Sequence, residues 1–130
     1  MSLPTKMKAC QIKEQGDLDV INVHEIDVPE PGPGQVLIKT EYAGVNFIDT
    51  YQRGGIYKLP MPYTLGNECA GKVVAIGEGV DEAKLGYKVG DNVAAYTPGG
   101  SFAEYALAPA IKTIKLPEDV STKDAATLVL

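Results

Sequence analysis

Four residues able to do polar chemistry crowd into one short stretch of the chain. Asn46, Asp49, Tyr51 and Arg53 lie inside Ala-Gly-Val-Asn-Phe-Ile-Asp-Thr-Tyr-Gln-Arg-Gly-Gly-Ile-Tyr, residues 43–57. An asparagine amide donates and accepts hydrogen bonds, a tyrosine hydroxyl donates, and an aspartate orients either of them. Such a set suits the binding and polarising of a carbonyl-like oxygen. The same residues allow a second reading, in which Asn46 caps a short helix while Asp49 and Arg53, at i and i+4, form a surface ion pair. The two readings can coexist, and both stay open on these residues alone.

Glu68, in Gly-Asn-Glu-Cys-Ala-Gly at 66–71, is a second polar spot bounded by glycines. It could serve as an acid, as a metal ligand or as a carboxylate bonded to nearby backbone. The structural use is favoured, because a buried carboxylate ordinarily needs such partners. Tyr57 and Tyr63 flank the region and either line a flat aromatic pocket or pack into core and surface.

Other chemistries lack their parts. With one histidine, His24, and no basic partner near Cys10 or Cys69, no nucleophilic triad can be assembled. His24 is expected at a surface or edge position. Two cysteines and one histidine also fall short of the four closely spaced ligands of a structural zinc, so both thiols are expected to be free. The glycine pairs Gly54-Gly55 and Gly99-Gly100 match neither the dinucleotide fingerprint nor the P-loop and read as turns.

A net charge of -5 and a pI near 4.8, with twelve basic residues scattered among seventeen acidic ones, leave no basic stripe. Nucleic acid and anionic membrane surfaces are therefore not expected partners. No run approaches the roughly 18 apolar residues of a membrane span, and the first residues lack the apolar centre of a signal peptide. A cytoplasmic location is the expectation.

The elements that must position these residues read as mostly β. Fourteen glycines and nine prolines separate short apolar runs, the pattern of many turns and short strands. A first strand is predicted over 8–13, and an irregular second one over 18–28 with Val20, Val23 and Ile26 in the core. After the stiff Pro-Glu-Pro-Gly-Pro-Gly turn at 29–34, an alternating half-buried strand begins at Gln35. Val36, Ile38, Thr40 and Tyr42 share one of its faces, and Leu37, Lys39 and Glu41 the other. It delivers the chain to a helix of one or two turns over 47–52, ended by Gly54-Gly55.

Further strands are predicted over 72–76, from about Val89, and over 101–107, with Ile111, Ile114 and Leu116 closing the β pattern. Ser121 and Asp124 resemble a capping box, which predicts a helix from about Thr122 through Ala125, Ala126 and Leu128. Its apolar face has nothing to pack against, so the chain is expected to be a piece of a longer protein.

Taken in order, several segments carry a family resemblance: residues 43–51, Arg53, Gly-Ile-Tyr at 55–57, Leu-Gly-Asn-Glu-Cys-Ala-Gly at 65–71, Gly-Glu-Gly-Val at 77–80, Val-Gly-Asp-Asn-Val at 89–93 and Gly-Ser-Phe-Ala-Glu-Tyr at 100–105. Together they resemble the N-terminal half of the zeta-crystallin-like quinone oxidoreductases, in the medium-chain dehydrogenase/reductase superfamily. The resemblance implies a mainly β fold, a GroES-like partly open β-barrel with short helices. Residues 1–120 would be the catalytic domain, and 121–130 the start of a helix leading to a Rossmann domain that this sequence does not reach.

It also implies NADPH as cofactor, held mainly by that missing domain, a quinone or other small conjugated carbonyl as substrate, and a homodimeric full-length protein. Asn46 and Tyr51 match positions lining the cleft where nicotinamide and quinone meet, Asp49 a neighbouring polar position, and Arg53 and Glu68 supporting ones. Zinc-dependent relatives place a cysteine ligand where this chain has Asn46 and a histidine where it has Asn67, so no zinc is expected. Quinone reduction needs none, since the cofactor supplies the reducing equivalents. A zinc-free enoyl or alkenal reductase of the same superfamily is the alternative enzyme. A non-enzymatic GroES-like or crystallin-type module is the alternative outside enzymes.

Overall fold

A computed structural model describes residues 2–130 and builds them into two antiparallel sheets. The strands are β1 (Lys6–Ile12), β2 (Asn22–Asp27), β3 (Gln35–Ala43), β4 (Tyr63–Thr64), β5 (Glu68–Ile76), β6 (Asn92–Tyr96), β7 (Tyr105–Pro109) and β8 (Thr113–Lys115). The α-helices are α1 (Phe47–Gly54), α2 (Glu82–Leu85) and α3 (Thr122–Ala125). The smaller sheet has the order β2-β1-β4 and the larger β7-β3-β5-β6-β8.

The sheets are stitched together by the chain just before β7. Cys10 N–H donates to Phe102 O at 2.7 Å, Glu104 N–H to Lys8 O at 3.1 Å, and Thr40 N–H to Glu104 O at 2.9 Å. One segment thus serves β1 on one side and β3 on the other, and the strands curl without closing. This is the partly open, mainly β architecture expected from the sequence.

β3 is the spine. It lies between β5 and β7 and buries Val36, Leu37 and Ile38 in succession, not in alternation. Val36 and Ile38 join Val73, Val93 and Ala106 in the main core, while Leu37 turns the other way onto Met7 and Tyr105. Both faces are covered there, so the predicted half-buried alternation fails over 36–38; beyond it Lys39 and Glu41 are exposed and Thr40 is partly buried, but Tyr42, expected on the face of Val36 and Ile38, is exposed as well. Register shifts between Leu37 and Ile38 and between Thr40 and Tyr42 bend the strand on its way to the site.

Three sequence expectations are corrected. Val23 lies on the edge strand β2 and is exposed, because that strand's outer face is not covered. Ile111, in a short 3-10 turn, is exposed as well. The last helix stops at Ala125, short of Leu128. Leu128 N–H bonds to Ala125 O, and the next two N–H groups, on Val129 and Leu130, go to the Glu68 side chain instead of to carbonyls a turn back. The predicted cap is present, with Ser121 Oγ accepting from Asp124 N–H at 3.1 Å. His24 sits on edge strand β2 opposite Ala9, half-buried, as expected of it.

Candidate active site

α1 begins where β3 ends. Asn46 has extended backbone angles (φ -129°, ψ 159°) and stands as the N-cap, and its own N–H donates to Asp49 Oδ2 at 2.8 Å. A carboxylate in the first turn also suits the positive end of the helix dipole. At the other end Gly55 takes φ +100°, and its N–H and that of Ile56 both reach Tyr51 O at 3.1 Å. Only glycine adopts that left-handed angle without a Cβ penalty, which is why the helix stops here.

The helix is turned inside out relative to an ordinary amphipathic one. Its buried residues are Asp49 and Gln52, while Phe47 is 80% and Tyr51 40% exposed. Val45, Ile56 and Tyr57 extend this outward apolar surface. A short helix that hides polar groups and shows aromatic ones is built to present its outer face to something.

Beneath α1 lies a closed polar ring. Asn67 Nδ2 donates to Asp49 Oδ1 at 2.6 Å and to Gln52 Oε1 at 2.8 Å. Asn46 Nδ2 donates to Glu68 Oε2 at 2.6 Å. Since Asn67 and Glu68 are neighbours at the start of β5, the path Asn46–Asp49–Asn67–Glu68–Asn46 returns on itself. Asp49, Gln52, Asn67 and Glu68 are all buried, and among the described residues neither carboxylate has a cationic partner. Amide and backbone N–H groups carry the whole compensation for burying both, so each donor is hard to spare.

Glycine at 44 is what lets Glu68 in. A Cβ there would lie 2.7 Å from Glu68 Cδ and 2.7 Å from the Ala126 carbonyl oxygen. Gly44→Ala is expected to destabilise the chain by about 1–3 kcal/mol through overpacking, measured by urea unfolding. A loss below about 0.5 kcal/mol would show that Glu68 is free to move aside.

The Asp49–Arg53 ion pair is not formed. Asp49 points inward, and Arg53 Nη1 lies 3.8 Å from Asp17 Oδ1, while Arg53 Nε is buried without a partner. The i, i+4 spacing put the two residues on neighbouring positions, but the donors beneath the helix had the stronger claim on the carboxylate. The Arg53 carbonyl also accepts from Gly16 N–H at 2.9 Å, tying the end of α1 to the loop before β2. Tyr57 is exposed, whereas Tyr63 is partly buried. Burial pushes the Tyr63 phenol above its ordinary value, and the charges of Tyr96 and Asp49 add to this.

Both cysteines are free, as expected. Burial, helped by the Glu68 charge, pushes the Cys69 thiol from an ordinary 9.0 up to about 12. The raised folded-state value means that its contribution to stability is complete below about pH 9 and is lost as pH climbs toward about 12. The downward slope of stability with pH across that window should flatten in Cys69→Ala. Native Cys69 should also resist alkylation at neutral pH, as followed by mass spectrometry. Among the described residues, no group of three or more His, Cys, Asp and Glu is placed to hold a metal ion.

The structure brings Asn46, Asp49 and Glu68 into one network, with Tyr51 on the outer face of the same helix and Arg53 at its end. Two members went unrecognised in the sequence. Gln52 was not singled out, although its place three residues after Asp49 puts both on one helix face. Asn67 was noticed only as the residue standing where zinc-dependent relatives have a histidine.

Comparison with known proteins places this geometry. The family model for the alcohol dehydrogenase GroES-like domain matches residues 32–118. A Schizosaccharomyces pombe protein named as a probable quinone oxidoreductase is 39% identical over 120 residues, covering 92% of this chain and 36% of the relative. Among solved structures, a mycobacterial quinone oxidoreductase superposes with a TM-score of 0.89 at 42% identity, over 92% of this chain and 36% of its own. A mycobacterial protein complexed with NADPH gives 0.87 at 42%, over 92% and 37%. A cobalt- and zinc-bound alcohol dehydrogenase from Pyrobaculum aerophilum gives 0.84 at 31%, over 96% and 45%. The chain thus spans little more than a third of the quinone oxidoreductases it matches. With its two open sheets, its inward-facing polar helix and the match over 32–118, the chain belongs to the alcohol dehydrogenase GroES-like domain family, in the company of the quinone oxidoreductases of the medium-chain dehydrogenase/reductase superfamily.

Proposed function

We propose that this chain is the catalytic half of an NADPH-dependent reductase that acts on quinones without zinc. The observation that carries the reading is the clamped amide of Asn46, fixed by Glu68 and held at the head of a helix whose outer face is apolar and aromatic. A fixed amide beside aromatic surface fits the flat nicotinamide end of the cofactor. The chain's glycine pairs at 54–55 and 99–100 match no phosphate-binding motif, so the cofactor's phosphates are assigned to the nucleotide-binding domain. NADPH, when bound, supplies the reducing equivalents.

The chain's own residues bind and orient. Asn46 positions the cofactor ring, and the Tyr51 hydroxyl donates a hydrogen bond to the acceptor oxygen. Phe47 and Val45 keep water from the contact. Asp49 fixes the Asn46 peptide, Glu68 fixes its amide, and Arg53 anchors the far end of α1. Zinc does not fit these residues. The amide nitrogens at 46 and 67 are directed at carboxylates, and neither asparagine is a good zinc ligand. In the same reading residues 1–120 are the catalytic domain and 121–130 lead to the nucleotide-binding domain. The full-length protein is then a cytoplasmic homodimer, which sedimentation and cell fractionation check.

The test is NADPH oxidation by the full-length protein with quinones and, in parallel, with enones, before and after exhaustive metal chelation. The expected result is quinone turnover that chelation leaves unchanged. Preference for enones would move the substrate class to enoyl or alkenal reduction. Activity that falls on chelation and returns with zinc would overturn the zinc-free reading. Failure to bind NADPH in a titration would favour a non-enzymatic module.

A further inference from the structure

Gln52 and Asn67 touch no outer surface of α1, yet their amides are spent on one task. An Asn side chain has two N–H hydrogens, and both of those on Asn67 are used, one on Asp49 Oδ1 at 2.6 Å and one on Gln52 Oε1 at 2.8 Å. Gln52 Nε2 returns toward Asn67 Oδ1 at 3.5 Å, which makes the two amides a reciprocal pair. A carboxylate only accepts, so Asp49 settles which way the Asn67 amide turns, and Gln52 then holds it there. With Oδ1 taken by Asn67, Asp49 keeps Oδ2 on the Asn46 N–H at 2.8 Å. The main chain at Gln52 is in turn held from outside, its backbone carbonyl accepting from Gln15 Nε2 at 2.9 Å.

We propose that Asn67 and Gln52 are positioning residues for Asn46, locking Asp49 so that the first turn of α1 presents the Asn46 amide in one orientation. The inference rests on the preceding reading, in which Asn46 faces cofactor and acceptor. A leucine at either site keeps much of the volume and removes the amide. The pair therefore acts through direction and not through bulk.

The experiment uses the full-length protein with Asn67→Leu, Gln52→Leu and the double variant. Steady-state quinone reduction, NADPH titration and native-state hydrogen exchange at the Asn46 N–H are measured on each. In Asn67→Leu, kcat is expected to fall about tenfold while the NADPH Kd stays within about twofold, the pattern of a lost orientation with binding retained. Exchange at Asn46 N–H should quicken by about tenfold or more as its acceptor loosens. Gln52→Leu should give a smaller loss of the same kind, and the double variant should be no worse than Asn67→Leu alone, because the two act as one unit.

A kcat within about twofold of wild type in Asn67→Leu, or losses that multiply in the double variant, would overturn the proposal. If Asn67→Leu does not fold, Gln52→Leu, which keeps the Asn67–Asp49 bond, decides it: Asn46 exchange unchanged from wild type counts against, faster exchange counts for. Should the wild-type protein reduce no quinone, the catalytic reading falls by itself. The exchange at Asn46 still tests the lock.

Discussion

Glu68→Ala is expected to lower the stability of the chain by about 3–5 kcal/mol, the largest effect of any single truncation at this site. The residue is 1% exposed, and its carboxylate accepts from Asn46 Nδ2 at 2.6 Å, Val129 N–H at 3.2 Å and Leu130 N–H at 3.3 Å. Truncation leaves three donors without their acceptor and a hole beneath Gly44. Glu68→Gln keeps the volume but offers one acceptor oxygen where two were used, so it should cost about 1–3 kcal/mol. Urea unfolding of wild type and both variants checks the order. Equal, small losses in both would mean that water replaces the carboxylate and that the ring is not a structural unit. The same carboxylate ties the Asn46 amide to residues 129 and 130, so the site and the segment after α3 should loosen together.

The second large effect separates Asn46 from Tyr51 in the full-length protein. Asn46→Ala removes the N-cap and one donor to Glu68, and should cost about 1–2 kcal/mol of stability. On the proposed role it should also slow quinone turnover on the order of 10- to 100-fold, the scale for removing one preorganised polar group. Tyr51 is 40% exposed on the outer face of α1, so Tyr51→Phe should leave stability within about 0.5 kcal/mol of wild type. Its effect should fall on turnover alone, by about tenfold for one lost hydrogen bond to the acceptor. Kinetics unchanged in both variants would remove the assigned roles. Loss of stability in Tyr51→Phe would mean that the hydroxyl serves the fold.

Local chemistry made much of this protein legible in advance. Alternation from Gln35, the prolines of 29–34, the glycines at 54 and 55 and the Ser121 cap are rules of turns and periods that act over a few residues. They placed β3, α1 and the start of α3 to within a few positions. The cluster at 46–53 and the motif at 65–71 were visible for the same reason, and their joint resemblance pointed to the family. What the chain could not reveal by itself is which partner each polar group would choose.

Asp49 had an arginine four residues away on its own helix and took Asn67, eighteen positions on, because the fold buries that face of α1. Val23 read as core and lies exposed, because whether a strand's outer face is covered depends on sheet order and not on the strand. Glu68 took the N–H groups of Val129 and Leu130, more than sixty positions away, instead of any partner near it in sequence. Short-range propensity is written in neighbouring residues. The competition for buried hydrogen-bond partners is settled only when strands distant in sequence bring the competitors to the same place.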